Sequence, residues 1–299
     1  MKLARFIHSG KEQLGCVVEQ QIIPIPASIF SGTMPVLLSR VLELRPLLEE
    51  YIATSPRALN LDQVQLLAPI SQPEKFIGVG LNYADHIAET GLAIPTFPTL
   101  FNKQSSCVTD PEAPIYRPNI SDKLDYEGEL ALVIGQYCRN ISAEEAPQAI
   151  AGYTIVNDVS VRDWQIKSPT WTLGKSFDSH GPTGPWIVTS DSIDPHNLEL
   201  KTWLNDELRQ HSNTRHLIFD CYQLVATLSS VCTLKPGDVI ATGTCSGVGV
   251  KMKPRGYMKP GDRVTVEIEN IGRLSNPVLQ EPEHNSFISP HPCLKSITT

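Results

Sequence analysis

At 299 residues, with 41% hydrophobic and 19% charged residues, the chain can bury one large core beside a small companion unit, and its composition excludes a disordered polypeptide. A formal charge of −7 repels nucleic-acid backbones and anionic bilayers, so neither is an expected partner. No apolar run approaches the roughly 18 residues of a membrane span, no signal-peptide core opens the chain, and seven scattered cysteines without C-x-x-C read as reduced thiols of a soluble, cytoplasmic protein.

In chain order, residues 3–8 and 13–18 read as strands around a Ser9-Gly10 turn. Apolar positions from Val36 to Ile52 recur at helical spacing, with Pro46 placed to kink or split the helix. Ser71-Gln72-Pro73 marks a boundary, which predicts a small N-terminal domain over 1–72. Asn82 is a candidate N-cap, and Gly91 a candidate stop, for a short helix between them. Strands are expected at 75–80, 127–134, 153–161, 186–189, 198–204, 238–242 and 263–269, with Asn205-Asp206 as a hairpin turn. Lys-Pro-Gly-Asp at 235–238 and at 259–262 has the proline and glycine of a type II turn, each ahead of a strand. Ser142 and Glu145 form a capping box, and Asp220 caps a helix with Leu224, Val225, Leu228, Val231 and Cys232 on one face. The fold class is therefore a β-rich α+β body over 73–280, followed by a loose tail over 281–299.

Glu127 and Glu129 stand two apart at the head of an apolar strand, so both side chains lie on one face. Carboxylates on a buried face need a cation, and an oxygen-rich set suits Mg2+ or Mn2+. E-x-E alone is a common pattern whose ordinary reading is a solvated face. Asp158 is a third acid in a strand-like run, which makes that reading less comfortable. His86 and Glu89 stand side by side at i,i+3 on the short helix, a carboxylate-oriented imidazole that could serve as a general base; a surface pair is the plain alternative. Lys175 is a lone cation among small and apolar residues, fit to anchor a carboxylate. The turn from Ala241 to Gly249 matches neither nucleotide-binding glycine pattern, though its amides could cradle a carboxylate.

In order, Gly80-Leu81-Asn82-Tyr83, Asp85-His86, Asp125-Tyr126-Glu127-Gly128-Glu129-Leu130, Asn157-Asp158-Val159-Ser160-Val161-Arg162-Asp163-Trp164-Gln165, Gly174-Lys175-Ser176-Phe177-Asp178, Gly181-Pro182-Thr183-Gly184-Pro185 and Gly237 to Thr244 resemble the fumarylacetoacetate hydrolase family. The wording is closest to its domain-containing protein 2 subgroup. The resemblance runs from about Lys75 to about Val278. It implies a mixed β-roll of the fumarylacetoacetase C-terminal type, usually homodimeric, beside a small N-terminal α/β unit. It also implies Glu127, Glu129 and Asp158 as ligands of Mg2+ or Mn2+, Lys175 as the active-site lysine and Gln165 as a substrate contact. Thr244 with the Gly243 backbone would grip a substrate carboxylate, and His86 with Glu89 would be the dyad of a lid helix. Cys245 and Gln104 stand where relatives commonly carry proline. The expected reaction is metal-dependent hydrolysis of a C–C bond in a small 2,4-dioxo acid such as an acylpyruvate. Oxaloacetate decarboxylation and isomerisation of a 2-oxo diacid are alternatives at the same site, and a non-catalytic 2-oxo acid binder is a rival from another class.

Overall fold

The computed structural model describes residues 1–54, 58–91 and 93–283; most of the tail expected over 281–299, with Cys293, lies outside the described residues. Strand Gly128–Ile134 is buried at every position. A strand covered on both faces carries a continuous apolar run instead of an alternation. Leu130, Leu132 and Ile134 pack with Leu200, Val266 and Leu274, and with Leu224, Val225 and Leu228 of helix Cys221–Val231. Ala131 and Val133 face the other way, onto Leu37, Leu38, Leu44 and Leu48 of the N-terminal helices. Each fully buried leucine contributes about 1.5–3 kcal/mol relative to exposure.

That strand lies inside a 12-stranded sheet. Its antiparallel neighbours are Ile150–Asn157 and Val239–Thr244. Beyond them lie Gly181–Thr189 on one side and Phe76–Gly80 with Thr99–Lys103 on the other. A second sheet of five strands, Glu207–Asn213, Glu199–Leu204, Arg263–Ile268, Gly272–Gln280 and Ile115–Arg117, packs over the first. The N-terminal strands extend the large sheet, with Lys2 opposite Val188 and Leu3 opposite Ile187. The architecture is the expected strand-rich α+β fold with a small N-terminal unit.

Several local expectations hold for the stated reasons. Gly237 and Gly261 have φ of +89° and +98°, and Asp238 and Asp262 close both Lys-Pro-Gly-Asp turns. Asp220 accepts the Tyr222 and Gln223 amides in a full capping box. The Ser142–Glu145 bonds both form, although the helix they precede is only Ala146–Ala149. The cysteines among the described residues are unpaired thiols.

Other expectations are corrected. The N-terminal helix breaks at Arg40, between Met34–Ser39 and Val41–Thr54, and Pro46 stays inside the second piece. Its missing N–H leaves the Leu42 carbonyl without a helical donor, and Leu42 is 75% exposed, so water can bond that oxygen. Strand Gly181–Thr189 begins five residues before the expected 186, through Pro182 and Pro185. Pairing passes from Tyr153–Val188 to Ile155–Gly184, and this irregularity accommodates the prolines. Val231 is exposed and Cys232 caps the helix end, so the buried face of that helix stops at Leu228. The helix cap is Tyr83, not Asn82; Asn82 is buried and binds the Phe219 and Thr242 carbonyls and the Phe219 amide.

At Gly128 the two sheets approach each other closely. A Cβ there would lie 2.3 Å from Thr202 Oγ1 and 2.9 Å from Val266 Cγ1, so a side chain must part the sheets. Gly128→Ala is expected to destabilise the fold by about 1–3 kcal/mol, the ordinary cost of overpacking a core. A lower urea midpoint at unchanged slope is the readout, and an unshifted midpoint would show that the sheets yield freely.

Candidate active site

The site forms where neighbouring strands end together. Gly128 pairs with Asn157, which sets Glu127 and Glu129 next to the residue following Asn157, Asp158. Asp158 is not inside a strand as expected; the run breaks between Ile150–Asn157 and Ser160–Val161, and Asp158 occupies the break. Its amide donates to the Glu127 carbonyl at 2.8 Å, while the Glu127 amide donates to Asn157 Oδ1 at 3.0 Å. Glu127, Glu129 and Asp158 each place a carboxylate oxygen within 4.8 Å of the others, and all three are buried.

Three cations make this burial tolerable. Lys175 Nζ donates to Glu127 Oε2 at 2.5 Å and to Asp158 Oδ2 at 2.6 Å. Lys103 Nζ donates to Asp158 Oδ1 at 2.7 Å and to the carbonyls of Lys175 and His180. Arg162 bridges Glu127 Oε1 at 2.6 Å and Asp125 Oδ2 at 2.8 Å. Asp125, itself fully buried, also accepts the Gly249 and Val250 amides. Lys175 sits on the short helix Thr172–Lys175, pressed against the turn that carries Gln165. A Cβ on Gly174 would fall 2.2 Å from the Gln165 amide nitrogen, so only glycine allows the two pieces to meet.

Glu129 differs from its neighbours. Its Oε2 accepts the Gly243 amide at 2.8 Å, and no lysine or arginine pairs with it among the described residues. Burial first, then Asp158 and Glu127 beside it, push its carboxyl well above the usual carboxylate range. Burial also works against the Glu127 charge, but Lys175 and then Arg162 outweigh it and hold that carboxyl well below the usual range. Four buried carboxylates face two buried lysines and the partly exposed Arg162, which leaves one negative charge when all are ionised. A hard divalent cation suits this excess and these oxygen donors, and Glu127, Glu129 and Asp158 are a set that could hold one.

A cavity of about 60 Å³ opens beside the acids, lined among others by His86, Gln165, Lys175 and Thr244. His86 Nδ1 lies 3.0 Å from Glu89 Oε2 on helix Ala84–Thr90. That helix is latched to the glycine-rich turn, because Asp85 accepts the Ser246 amide and Glu89 the Gly247 amide. The Gly243 amide expected to grip a substrate is engaged by Glu129 here, and the Thr244 hydroxyl donates to the Gly128 carbonyl while accepting from Gln210. Cys245 is buried, its carbonyl held by Gln210, and burial raises its thiol far out of the reactive range. The Gln104 amide donates to Ser176 Oγ at 3.1 Å, a bond that proline could not make. Size does not pick out this site. A larger hollow, of about 520 Å³ and lined by Phe30, Met34 and Ile70, holds Arg5 and Glu12 but no acid cluster. Sequence reasoning did not select Lys103, Asp125 or Arg162. Their signals are a lysine closing an apolar strand and the Asp125 and Arg162 that flank selected residues.

Residues 75–279 match the sequence profile described as fumarylacetoacetate (FAA) hydrolase C-terminal, and residues 1–69 match an Rv2993c-like N-terminal profile. The chain belongs to the fumarylacetoacetate hydrolase family. It is 44% identical over 291 residues to a mitochondrial oxaloacetate tautomerase, fahd2, of Xenopus laevis, covering 93% of this chain and 90% of that one. Among solved structures, it resembles a fumarylacetoacetate hydrolase of Exiguobacterium antarcticum at a TM-score of 0.85 and 38% identity, covering 94% of this chain and all of that one. It also resembles maleylpyruvate hydrolase of Sphingobium sp. SYK-6, solved with manganese(II) and pyruvate, at a TM-score of 0.81 and 33% identity, with the same coverage. No described helix is long and apolar enough to cross a membrane.

A raised Glu129 carboxyl would make uptake of a metal at these acids compete with a proton. Uptake needs the carboxylate, so affinity should fall as pH falls and binding should release a proton. Titration of the full chain with Mn2+ in buffers of different ionisation enthalpy is expected to show proton release on binding, read from the dependence of the heat on that enthalpy. Heats independent of buffer would mean that Glu129 is already ionised.

Proposed function

We propose that the chain is a divalent-metal-dependent enzyme that enolises a small 2-oxo diacid, interconverting the keto and enol forms of oxaloacetate or a close relative. The observation that carries this reading is the His86–Glu89 pair at a small cavity whose wall also holds Glu127, Glu129 and Lys175. The oxaloacetate tautomerase at 44% identity supports it.

Glu127, Glu129 and Asp158 would hold Mg2+ or Mn2+, which when bound supplies Lewis-acid stabilisation of negative charge on the substrate's C2 oxygen. The chain's own residues do the rest. Glu89 takes the Nδ1 proton of His86 as a hydrogen bond, fixing the tautomer and leaving Nε2 free as a base. His86 Nε2 removes a proton from the carbon beside the 2-oxo group and delivers it to the C2 oxygen to give the enol; the reverse transfer, from the enol hydroxyl through Nε2 to carbon, restores the keto form. Lys175 and Arg162 hold the acids in place and oppose the charge that develops on the substrate. Thr244 and Gln165 border the space in which the head of the substrate must sit.

A second reading, hydrolysis of a C–C bond in a 2,4-dioxo acid, uses the same base on water and draws support from the manganese- and pyruvate-bound hydrolase at 33% identity. Fold does not choose between them.

Enol decay of oxaloacetate and pyruvate release from acetylpyruvate, each with Mn2+ and with EDTA, separate the two readings. His86→Ala is expected to cut turnover by about 10²–10⁴-fold, the usual contribution of a positioned base, and to leave Mn2+ binding intact. Glu127→Ala should lose both. Full turnover in His86→Ala would remove the base assignment, and pyruvate release without tautomerisation would replace the first reading by the second.

A further inference from the structure

Gln210 is a buried amide for which the proposed reaction has no direct use. It lies on the edge strand Glu207–Asn213 of the smaller sheet and is 1% exposed. Pairing there passes from Trp203–Leu208 to Thr202–Gln210, so Arg209 is an extra residue on its strand. A bulge of this kind re-aims the side chain beside it. Ser212, two residues on and also buried, donates to Asp85 on the His86 helix at 2.6 Å, so the inward face of this strand is turned to the site.

The large sheet is irregular at the point that Gln210 meets. Glu129 pairs with Thr244 but Ala131 pairs with Ala241, so two steps on one strand face three on the other. Side chains supply hydrogen bonds there. Thr242 Oγ1 donates to the Leu130 carbonyl at 2.8 Å, and Glu129 accepts the Gly243 amide. Gln210 Oε1 accepts the Gly128 amide at 3.0 Å, while its Nε2 donates to Thr244 Oγ1 at 2.8 Å and to the Cys245 carbonyl at 3.0 Å.

Two of these partners are main-chain groups of fixed polarity. The Gly128 amide can only donate and the Cys245 carbonyl can only accept, so the Gln210 amide has one orientation. Thr244 therefore receives an N–H, and its own proton goes to the Gly128 carbonyl at 2.9 Å. The bonds close a ring through Gly128, Gln210 and Thr244 that holds the hydroxyl in one direction. Thr244 borders the inner cavity, and the buried Gln210 stands behind it.

We propose that Gln210 is a positioning residue: it aims the Thr244 hydroxyl at the wall of the inner cavity and touches no reacting atom itself. The inference rests on the reading that the inner cavity takes the head of a 2-oxo acid. The acids have other supports, since Lys175, Arg162 and the Asn157 side chain hold Glu127 and its main chain. The effect of Gln210 should therefore fall on the bound head group and not on the metal.

The test is a double-mutant cycle on the Mn2+-loaded full chain, read by calorimetric titration with oxalate. Gln210→Met keeps the volume and removes all three bonds, and Thr244→Val keeps the shape and removes the hydroxyl. Each is expected to weaken oxalate binding by about tenfold, the loss of one hydrogen bond. The double variant should bind oxalate no more weakly than the weaker single variant, because both break one link. Mn2+ affinity, titrated separately, should be unchanged. Gln210→Asn, whose amide is one methylene too short to span the ring, enters the same cycle if the methionine variant does not fold. Losses that multiply in the double variant, or oxalate binding untouched in either single variant, would overturn the inference and leave the head-site reading standing. An equal loss of Mn2+ affinity would do the same, by assigning Gln210 to the acids instead of Thr244. Failure of oxalate to bind the wild-type chain would overturn both.

Discussion

Charge buried at the ends of the central strands is the constraint on which this molecule turns. Each ion withdrawn from water costs several kcal/mol even after relaxation, and Asp125, Glu127, Glu129, Asp158, Lys103, Arg162 and Lys175 are withdrawn together. The set is tolerable only because its members face one another at hydrogen-bond distance, with backbone groups completing their shells. Asn157 spends its side chain on the Glu127 amide, and Gly243 its amide on Glu129. Gly128, between the two glutamates, lets the sheets close over them. Apolar residues could fill this space at lower cost, so the cluster is explained by what it can hold and not by stability.

The same bonds extend the site outward. Asp125 joins Arg162 to the 249–258 loop, while Asp85 and Glu89 join the His86 helix to the glycine-rich turn. The base and the rim of the outer hollow, a space of about 520 Å³ that shares His86, Arg162 and Gln165 with the inner cavity, are therefore each one hydrogen bond removed from segments that frame the acids. The sheet carries Glu129 and fixes Glu127 and Asp158 at its strand ends, and short loops pinned by carboxylates supply the rest.

The sequence made some of this legible and hid the rest for identifiable reasons. Period-two alternation is enough to place Glu127 and Glu129 on one face, because strand geometry is local. The Lys-Pro-Gly-Asp turns and the Asp220 cap are legible for the same reason. Asp158 looked like a strand residue because its neighbours are apolar; only the tertiary bond from its amide to Glu127 reveals the break. Asn82 has the chemistry of a cap, yet burial redirects that chemistry to Phe219 and Thr242, more than a hundred residues away in sequence. Lys103 closes a short strand, where a lysine is usually solvated; its burial depends on three partners contributed by distant segments. Long-range pairing carries no local signal, and that is where the readings stopped.

Enolisation and C–C hydrolysis begin with the same demands: hold a 2-oxo acid, oppose charge at its C2 oxygen, and place a base nearby. They diverge in what the base meets. For tautomerisation, His86 must reach carbon beside the 2-oxo group; for hydrolysis, it must reach a water aimed at a carbonyl farther along the chain. The inner cavity of about 60 Å³ holds a head group with little to spare, so a water and a second carbonyl would have to lie toward the outer hollow.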